Sequence, residues 1–410
     1  MQRVLFLILI FAVLATCKVY GQVNNNSSQK LQDLGINRII TTAVPFLNLA
    51  PDARSGALAD AGVATSPDAN AMHWNAAKLA FMEKDLGFSL SYNPWLRKLV
   101  NDMSLNYLAG YKKLSKQEAI GIQLLYFDLG EIQFTDENGN NLNKYTPKEF
   151  SMGLAYSRKL SEKLGVSLGL KFIHSNLAGN FAFKNGQQTK PGNSAAGDIG
   201  VFYTSDVLLG GKAGTLNFGA NISNIGAKMT YSNASNKEFI PTNLRLGTAF
   251  TTELDPFNKI TFILEVSKLL VPTPPVYYKD QFGNPTDSIE KGNDPATIPF
   301  VRGMFSSFAD APGGAKEELQ EVIFHGGIEY WYYNTSGEPL FAVRGGYFHE
   351  NKFKGNRKYF TLGFGVHYQA FGIDFAYLVP LKQDNPLAES LRFTLAFDIQ
   401  TKKVQESITE

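Results

Sequence analysis

The chain has 410 residues, with 39 Lys and Arg against 37 Asp and Glu, for a net charge of +2. So even a balance excludes a strongly basic nucleic-acid-binding surface, and no nucleic-acid partner is expected. With 37 Gly, 31 Phe and 18 Tyr, the composition favours β-hairpins over helices, and a barrel can hold this length as one domain.

Residues 1–21 have the form of a secretory signal peptide. Arg3 supplies the positive start, Val4 to Ala15 the apolar run, and Val19-Tyr20-Gly21 a cleavage site before Gln22. The only cysteine, Cys17, lies inside this segment. Leu14-Ala15-Thr16-Cys17 approximates a lipoprotein box, but Thr16 is a poor neighbour for a lipidated cysteine, so ordinary cleavage is expected. The exported chain then has no disulfide. No later stretch of about 18 apolar residues follows, which leaves a soluble protein or a transmembrane barrel.

Residues 22–44 open polar (Asn24-Asn25-Asn26-Ser27-Ser28) and are expected to be a periplasmic lead-in. Residues 45–83 differ from everything after them. They are rich in Ala and Gly, carry three Asp and lack alternation. Asp52 is placed to cap a helix over Ala53 to Asp60 that ends at Gly62, and Ser66 or Asp68 to cap a second helix running to Trp74. Such a segment suits the inside of a closed β wall, where backbones must approach closely.

From Leu86 the period becomes two. About fourteen strands are expected, near 85–93, 102–113, 118–133, 148–159, 164–178, 197–205, 214–225, 242–253, 258–269, 321–334, 339–349, 357–369, 371–379 and 390–400. One face carries bulky residues, as in Phe360, Leu362, Phe364, Val366 and Tyr368, or Met103, Leu105, Tyr107, Ala109 and Tyr111. The other carries Gly, Ser, Asn and isolated charges: Arg245, Glu265, Glu329, Arg344, Asp374 and Arg392. Strands of about 10 residues exceed the usual 5–6 of soluble sheets and match a tilted membrane crossing. The connections also sort into short turns and longer loops in strict alternation, as outer-membrane barrels require. The expected fold is therefore all-β: a transmembrane antiparallel barrel spanning residues 84–400, with an N-terminal small-residue helical plug (45–83) in its lumen and a periplasmic tail at 401–410.

The loop at 270–320 stands apart. It holds Pro272, Pro274, Pro275, Pro285, Pro295, Pro299 and Pro312, a candidate short helix at Gly313 to Leu319, and the aromatics Tyr277, Tyr278, Phe282, Phe300, Phe305 and Phe308. Those six are read as a partner-contact surface or lid. No catalytic, cofactor-binding or metal-ligating constellation emerges. The five histidines are scattered, and Asp136 to Asn141 resembles a calcium loop without its closing Glu, so it is read as a turn. His367 and Asp374 are expected to face the lumen from adjacent strands. In the plug, Asp52, Arg54, Asp60 and Asp68 are expected to pair with lumenal charges, with Asn70, Trp74 and Asn75 beside them. These contacts hold a static plug or form a latch that moves when a partner binds.

The runs Pro51-Asp52-Ala53-Arg54-Ser55-Gly56, Asp60-Ala61-Gly62-Val63-Ala64-Thr65-Ser66-Pro67-Asp68-Ala69-Asn70 and Trp74-Asn75-Ala76-Ala77-Lys78-Leu79-Ala80 resemble the PorV (LptO) family of outer-membrane barrels from the type IX secretion system of Bacteroidota. That family is in turn similar to the FadL family of fourteen-stranded transporters, whose hatch carries Asn-Pro-Ala where this chain reads Asn75-Ala76-Ala77. The resemblance implies a non-enzymatic role. The protein would bind the C-terminal domain of secreted cargo as it leaves a SprA/Sov-type translocon barrel, then pass it to a PorU-type sortase and attachment complex that joins it to lipopolysaccharide. The implied surroundings are outer-membrane lipid and lipopolysaccharide. A FadL-like transporter of hydrophobic small molecules is the alternative. An outer-membrane deacylase would need a Ser/His pair at the lipid face, for which His174 is the nearest candidate.

Overall fold

The computed structural model describes residues 38–97, 102–135, 141–177, 179, 188–209, 211–232, 237–381 and 390–400. The expected signal peptide with Cys17, most of the lead-in, residues 136–140 of the acidic turn and the 401–410 tail lie outside these described residues.

The strands run in order as β1 (Leu86–Pro94), β2 (Ser104–Lys113), β3 (Glu118–Asp128), β4 (Ile132–Thr135), β5 (Asn141–Tyr145), β6 (Lys148–Lys159), β7 (Leu164–Asn176), β8 (Gly192–Leu209) and β9 (Lys212–Gly226). They continue as β10 (Asn243–Asp255), β11 (Asn258–Leu269), β12 (Val276–Lys279), β13 (Pro285–Lys291), β14 (Ile323–Tyr333), β15 (Pro339–His349), β16 (Lys358–Tyr368), β17 (Phe371–Pro380) and β18 (Leu391–Ile399). Fourteen of them close a barrel, and the seam is β1 against β18, with Leu86 opposite Ile399 and Tyr92 opposite Phe393. Closure leaves the barrel no unpaired edge. The remaining four form two small hairpins, β4–β5 and β12–β13, outside the barrel wall.

The expected fourteen strands are all present, with shifted ends. The third stops at Asp128, because Gly130 turns the chain with φ +73° into the β4–β5 hairpin. The sixth starts earlier and ends later than expected. On most strands the bulky face points outward: Leu154 is 60% exposed, Leu170 67% and Leu264 67%. Burial of one such side chain away from water is worth about 1.5–3 kcal/mol. A whole belt of them belongs in lipid.

β2 reverses the expectation. Leu105, Tyr107, Ala109 and Tyr111 are buried toward the lumen, while Leu108 is exposed. The plug supplies the reason. Its Phe46, Met72 and Leu79 need an apolar wall, and they share one core cluster with these β2 residues and with Leu125 and Phe127 of β3.

The plug is built of short pieces. A 3-10 turn (Pro45–Asn48) leads to α1 (Ala53–Ala57), then α2 (Ala71–Trp74) and a second 3-10 turn (Ala76–Phe81). As expected, Asp52 caps α1, its carboxylate accepting from the Ser55 N–H at 2.8 Å. The helix is shorter than expected, because Ala59 and Asp60 take left-handed φ of 59° and 63°. α2 starts at Ala71 behind Asn70, with no side-chain cap from Ser66 or Asp68. Small residues let the plug touch the wall backbone to backbone. A Cβ on Gly219 would stand 2.1 Å from the Val63 carbonyl oxygen, and one on Gly363 2.3 Å from the Ala57 Cβ.

The end of the lead-in departs from its expected place. Ile40 packs on Phe239, Val271 and Ile298, and the Ala43 N–H donates to Phe239 O at 2.9 Å. Those partners lie on the long connections, so Ile39 to Val44 sit at the long-loop rim rather than at the short-turn, periplasmic end. The chain enters the plug from that side because Phe46 and Leu47 are anchored there, with Phe46 stacked on Phe127 at 6.4 Å.

The glycine contact generates a test. Gly219→Val must push the Val63 backbone away, at about 1–3 kcal/mol or more. Planar-bilayer recordings are expected to show raised conductance for this variant. Gly326→Ala, whose Cβ meets nothing nearer than 4.0 Å, is expected to conduct like the parent.

Candidate functional site

The plug is held by buried charge. Arg54 of α1 is 7% exposed and carries five N–H donors, and all five are used. Nε and Nη2 donate to the two oxygens of Glu329 on β14, each at 2.9 Å. Nη1 donates to Asp68 at 2.9 Å and to the Ser66 carbonyl at 3.1 Å, and Nη2 to the Ser66 hydroxyl at 2.6 Å. The forked Glu329 contact is the geometry only a guanidinium can make. On the wall, Arg344 Nε donates to Glu329 at 2.8 Å and its Nη1 to Asp374 at 2.6 Å. His367 meets the other Asp374 oxygen at 3.4 Å, as expected for that pair.

Asp60 is the second anchor. Its carboxylate accepts from Arg392 at 2.7 Å and from the Tyr359 hydroxyl at 2.7 Å, while its carbonyl accepts from Arg245 at 3.0 Å. Arg245 donates to Glu265 at 2.6 Å and lies 4.8 Å over the Trp74 ring. The other Glu265 oxygen accepts the backbone N–H groups of Gly62 and Val63 at 2.8 and 2.9 Å. The six inward charges expected from the alternation therefore all join this network. Asp52 faces the plug itself, accepting the Trp74 indole N–H at 2.7 Å. Asn75 donates to Val63 O within the plug and to Val201 O of β8. Asn70 is buried without a cap contact from its side chain.

Four wall residues were not legible as plug contacts. Thr394 accepts from the Ala53 N–H, Thr361 bridges Ala57 O and Ala59 N, His325 contacts Ala59 O, and Tyr359 contacts Asp60. Threonine and tyrosine on a barrel strand carry no mark of which backbone group they will meet.

Above the plug, on the long-loop side, lies a chamber of about 480 Å³. Asp60, Arg245 and His325 line its plug side, and Glu321, Lys354 and Arg357 its loop side. The 270–320 loop that covers this end is tied down by ion pairs to lysines outside it. It contains the β12–β13 hairpin, α3 (Phe300–Ser306) and α4 (Ala315–Gln320), the last near the expected helix. Lys354 donates to Glu317 at 2.7 Å and Glu321 at 2.8 Å, and Lys268 reaches Glu318 and Glu321. Of the six loop aromatics, Phe282 is 79% exposed and Phe305 67%; Tyr277, Tyr278 and Phe308 are also exposed. Phe300 differs, packing inward on Phe239, Val271 and Ile298.

Asp310 in this loop has its carboxyl pushed up to about 6, first by burial and then by the nearby Glu318 and Glu321 charges, against the Thr273 N–H that favours the anion. Ser306 Oγ is its remaining polar neighbour. The folded loop therefore binds this proton more tightly than the unfolded chain, whose carboxyl titrates at 3.8. The contribution to loop stability rises as pH falls through about 6 and levels off below 3.8. Proteolysis within 270–320 is expected to slow between pH 7 and pH 5, and Asp310→Asn to flatten that dependence.

Breaking a buried ion pair by removing one partner costs about 3–5 kcal/mol. Arg54→Met is expected to loosen the plug by this amount. An engineered Ser55→Cys, buried in the parent, would then react with maleimide roughly 100- to 4,000-fold faster, at about 1.4 kcal/mol per tenfold. Arg54→Met with Glu329→Gln is expected to lose less than the two single changes added.

Comparison with known proteins adds the following. The structures similar to this one include the Ralstonia pickettii toluene transporter TbuX, at 12% identity over 87% of this chain and 99% of that chain, with a TM-score of 0.46. The CymD monoaromatic hydrocarbon channel matches at 10% identity over 86% and 99%, with a TM-score of 0.49. A Pseudomonas aeruginosa FadL homologue matches at 11% identity over 88% and 99%, with a TM-score of 0.42. No curated protein sequence matches the chain. A family model, Type IX secretion system protein PorV, matches residues 32–276. That match takes in the plug and more than half of the sequence, and the chain belongs to the PorV family of the type IX secretion system.

Proposed function

We propose that this protein is a non-enzymatic outer-membrane component of a type IX secretion machinery. It binds the C-terminal domain of secreted proteins as they leave a large translocon barrel and passes them to a sortase and attachment complex. On this reading the signal peptide is removed on export from the cytoplasm of a Bacteroidota bacterium, and the long loops face outward. Family membership supports the reading. The observation that carries it is an aromatic surface on a rigidly tied outer loop, above a lumen filled by its plug. Phe282 at the β12–β13 turn and Phe305 on α3 are large apolar side chains left in water, while four carboxylate–lysine contacts and the Thr273 hydroxyl bond to Glu321 hold the loop beneath them. Exposed aromatics on an ordered scaffold suit protein docking, because little side-chain freedom is lost on binding.

A conduit for hydrophobic small molecules would have to pass a plug whose middle, from Ala53 to Ala80, is almost entirely buried and ion-paired to β14 and β18. Affinity purification from the outer membrane tests the two readings. Recovery of a very large barrel, a sortase or proteins sharing one C-terminal domain supports the secretion reading. Recovery of the barrel alone with apolar ligand in its lumen supports the transporter. Under the first, Phe282→Asp with Phe305→Asp is expected to lower cargo recovery at least tenfold, with the heat-modifiable gel shift of the folded barrel unchanged.

A further inference from the structure

Ile39 to Val44 is a short run of chain without helix or strand, laid between two outer loops. Its backbone is held by the Ala43 N–H to Phe239 O contact. Its Ile40 side chain packs on a cluster made by Phe239 of one loop and Val271 and Ile298 of the other, against which Phe300 also packs. The same two loops are joined beside it by Lys228, which donates to Pro295 O at 2.6 Å and Ala296 O at 3.0 Å and lies 4.4 Å over the Phe239 ring. The pocket thus has a frame of its own and does not need the segment to bring its walls together. Ile39 and Thr41 remain exposed, so the segment is a peptide lying in a groove rather than a buried strand.

The junction with the plug is strained. Val44 has φ +48° and ψ +51°, is 1% exposed and precedes Pro45. A β-branched residue seldom enters the left-handed region, and a following proline further restricts it. Such a conformation persists only where its surroundings impose it. Here the Ala43 bond and the Ile40 pocket impose it from one side, and the Phe46 and Leu47 anchors from the other.

We propose that Ile39–Val44 is an internal occupant of a peptide-binding groove. When the strap leaves, the backbone at Val44 relaxes and the groove takes a linear peptide with an aliphatic side chain in place of Ile40 and an N–H for the Phe239 carbonyl. The groove opens onto the 480 Å³ chamber, which Ile39, Ile40, Thr41 and Thr42 also line. This proposal does not require the secretion reading, because the chain's own strap is the probe.

The test uses a fluorescein-labelled synthetic peptide of residues 39–48 and the full-length barrel in detergent micelles. A variant lacking residues 39–43 is expected to bind the peptide saturably by fluorescence anisotropy, and the intact protein at least tenfold more weakly. A peptide carrying Ile40→Asp is expected to lose at least tenfold in affinity for the deleted barrel. No binding by a deletion variant that keeps its heat-modifiable gel shift overturns the proposal, as does equal binding by the intact protein. Should the deletion prevent folding, full-length Ile40→Asp loosens the strap by one side chain. It is expected to admit the peptide where the parent does not, and equal behaviour of variant and parent overturns the proposal by itself.

Discussion

A carboxylate shut away from water must be met by a cation or by several N–H donors, and this barrel divides those partners between wall and plug. Glu329 is the plainest instance. It sits on β14 at 2% exposure, with Arg54 of the plug on one side and Arg344 of the wall on the other. Two unit charges 4 Å apart attract by about 4 kcal/mol at an effective dielectric of 20, and desolvation offsets much of that. The pairing therefore adds modest stability, but its absence would leave an uncompensated buried charge. That asymmetry dictates where the plug sits. A plug turned by one strand would take Arg54 from Glu329, the Gly62 and Val63 N–H groups from Glu265 and Asp60 from Arg392.

Close packing makes the charge contacts possible. Ala53, Ala57, Ala59 and Ala61 have no exposed surface, and the wall answers with glycine where backbones meet. On the other side of the lumen the wall is apolar. Leu105, Tyr107, Leu125 and Phe127 pack on Phe46, Met72 and Leu79. The plug thus has one face held by ion pairs and one by burial. The first sets its register and the second contributes most of its adhesion.

The same economy of buried charge recurs outside. Lys268 and Lys354 reach from the barrel rim into Glu317, Glu318 and Glu321, and a loop of some fifty residues becomes an ordered cover. The filled lumen thus lies beneath a tied-down loop that carries exposed aromatic side chains. The strap at Ile39 to Val44 links the two regions, one end seated in the loops and the other continuing into the plug.

The strand count and the inward charges were legible in the sequence because alternation reports a local property. Each residue's face follows from its neighbour's, so Arg245, Glu265, Glu329, Arg344, Asp374 and Arg392 could be placed in the lumen before any pairing was known. The Asp52 cap and the short helix near Gly313 followed from local hydrogen bonding in the same way. What each charge meets was not legible. Arg54 finds Glu329 across 275 residues, and Asp60 finds Arg392 across 332. β2 misled for the same reason, since its bulky face turns to the plug and not to lipid, and only the filled lumen decides that. The inward clasp of Phe300, the left-handed Val44 and the position of Ile40 at the long-loop rim also depend on surfaces brought together by closure of the barrel. Sequence by itself determined the wall, because a β-strand's pattern is written at a period of two. The tertiary structure alone decided how the plug and strap occupy that wall, because buried charges and apolar side chains choose partners by distance in space and not along the chain.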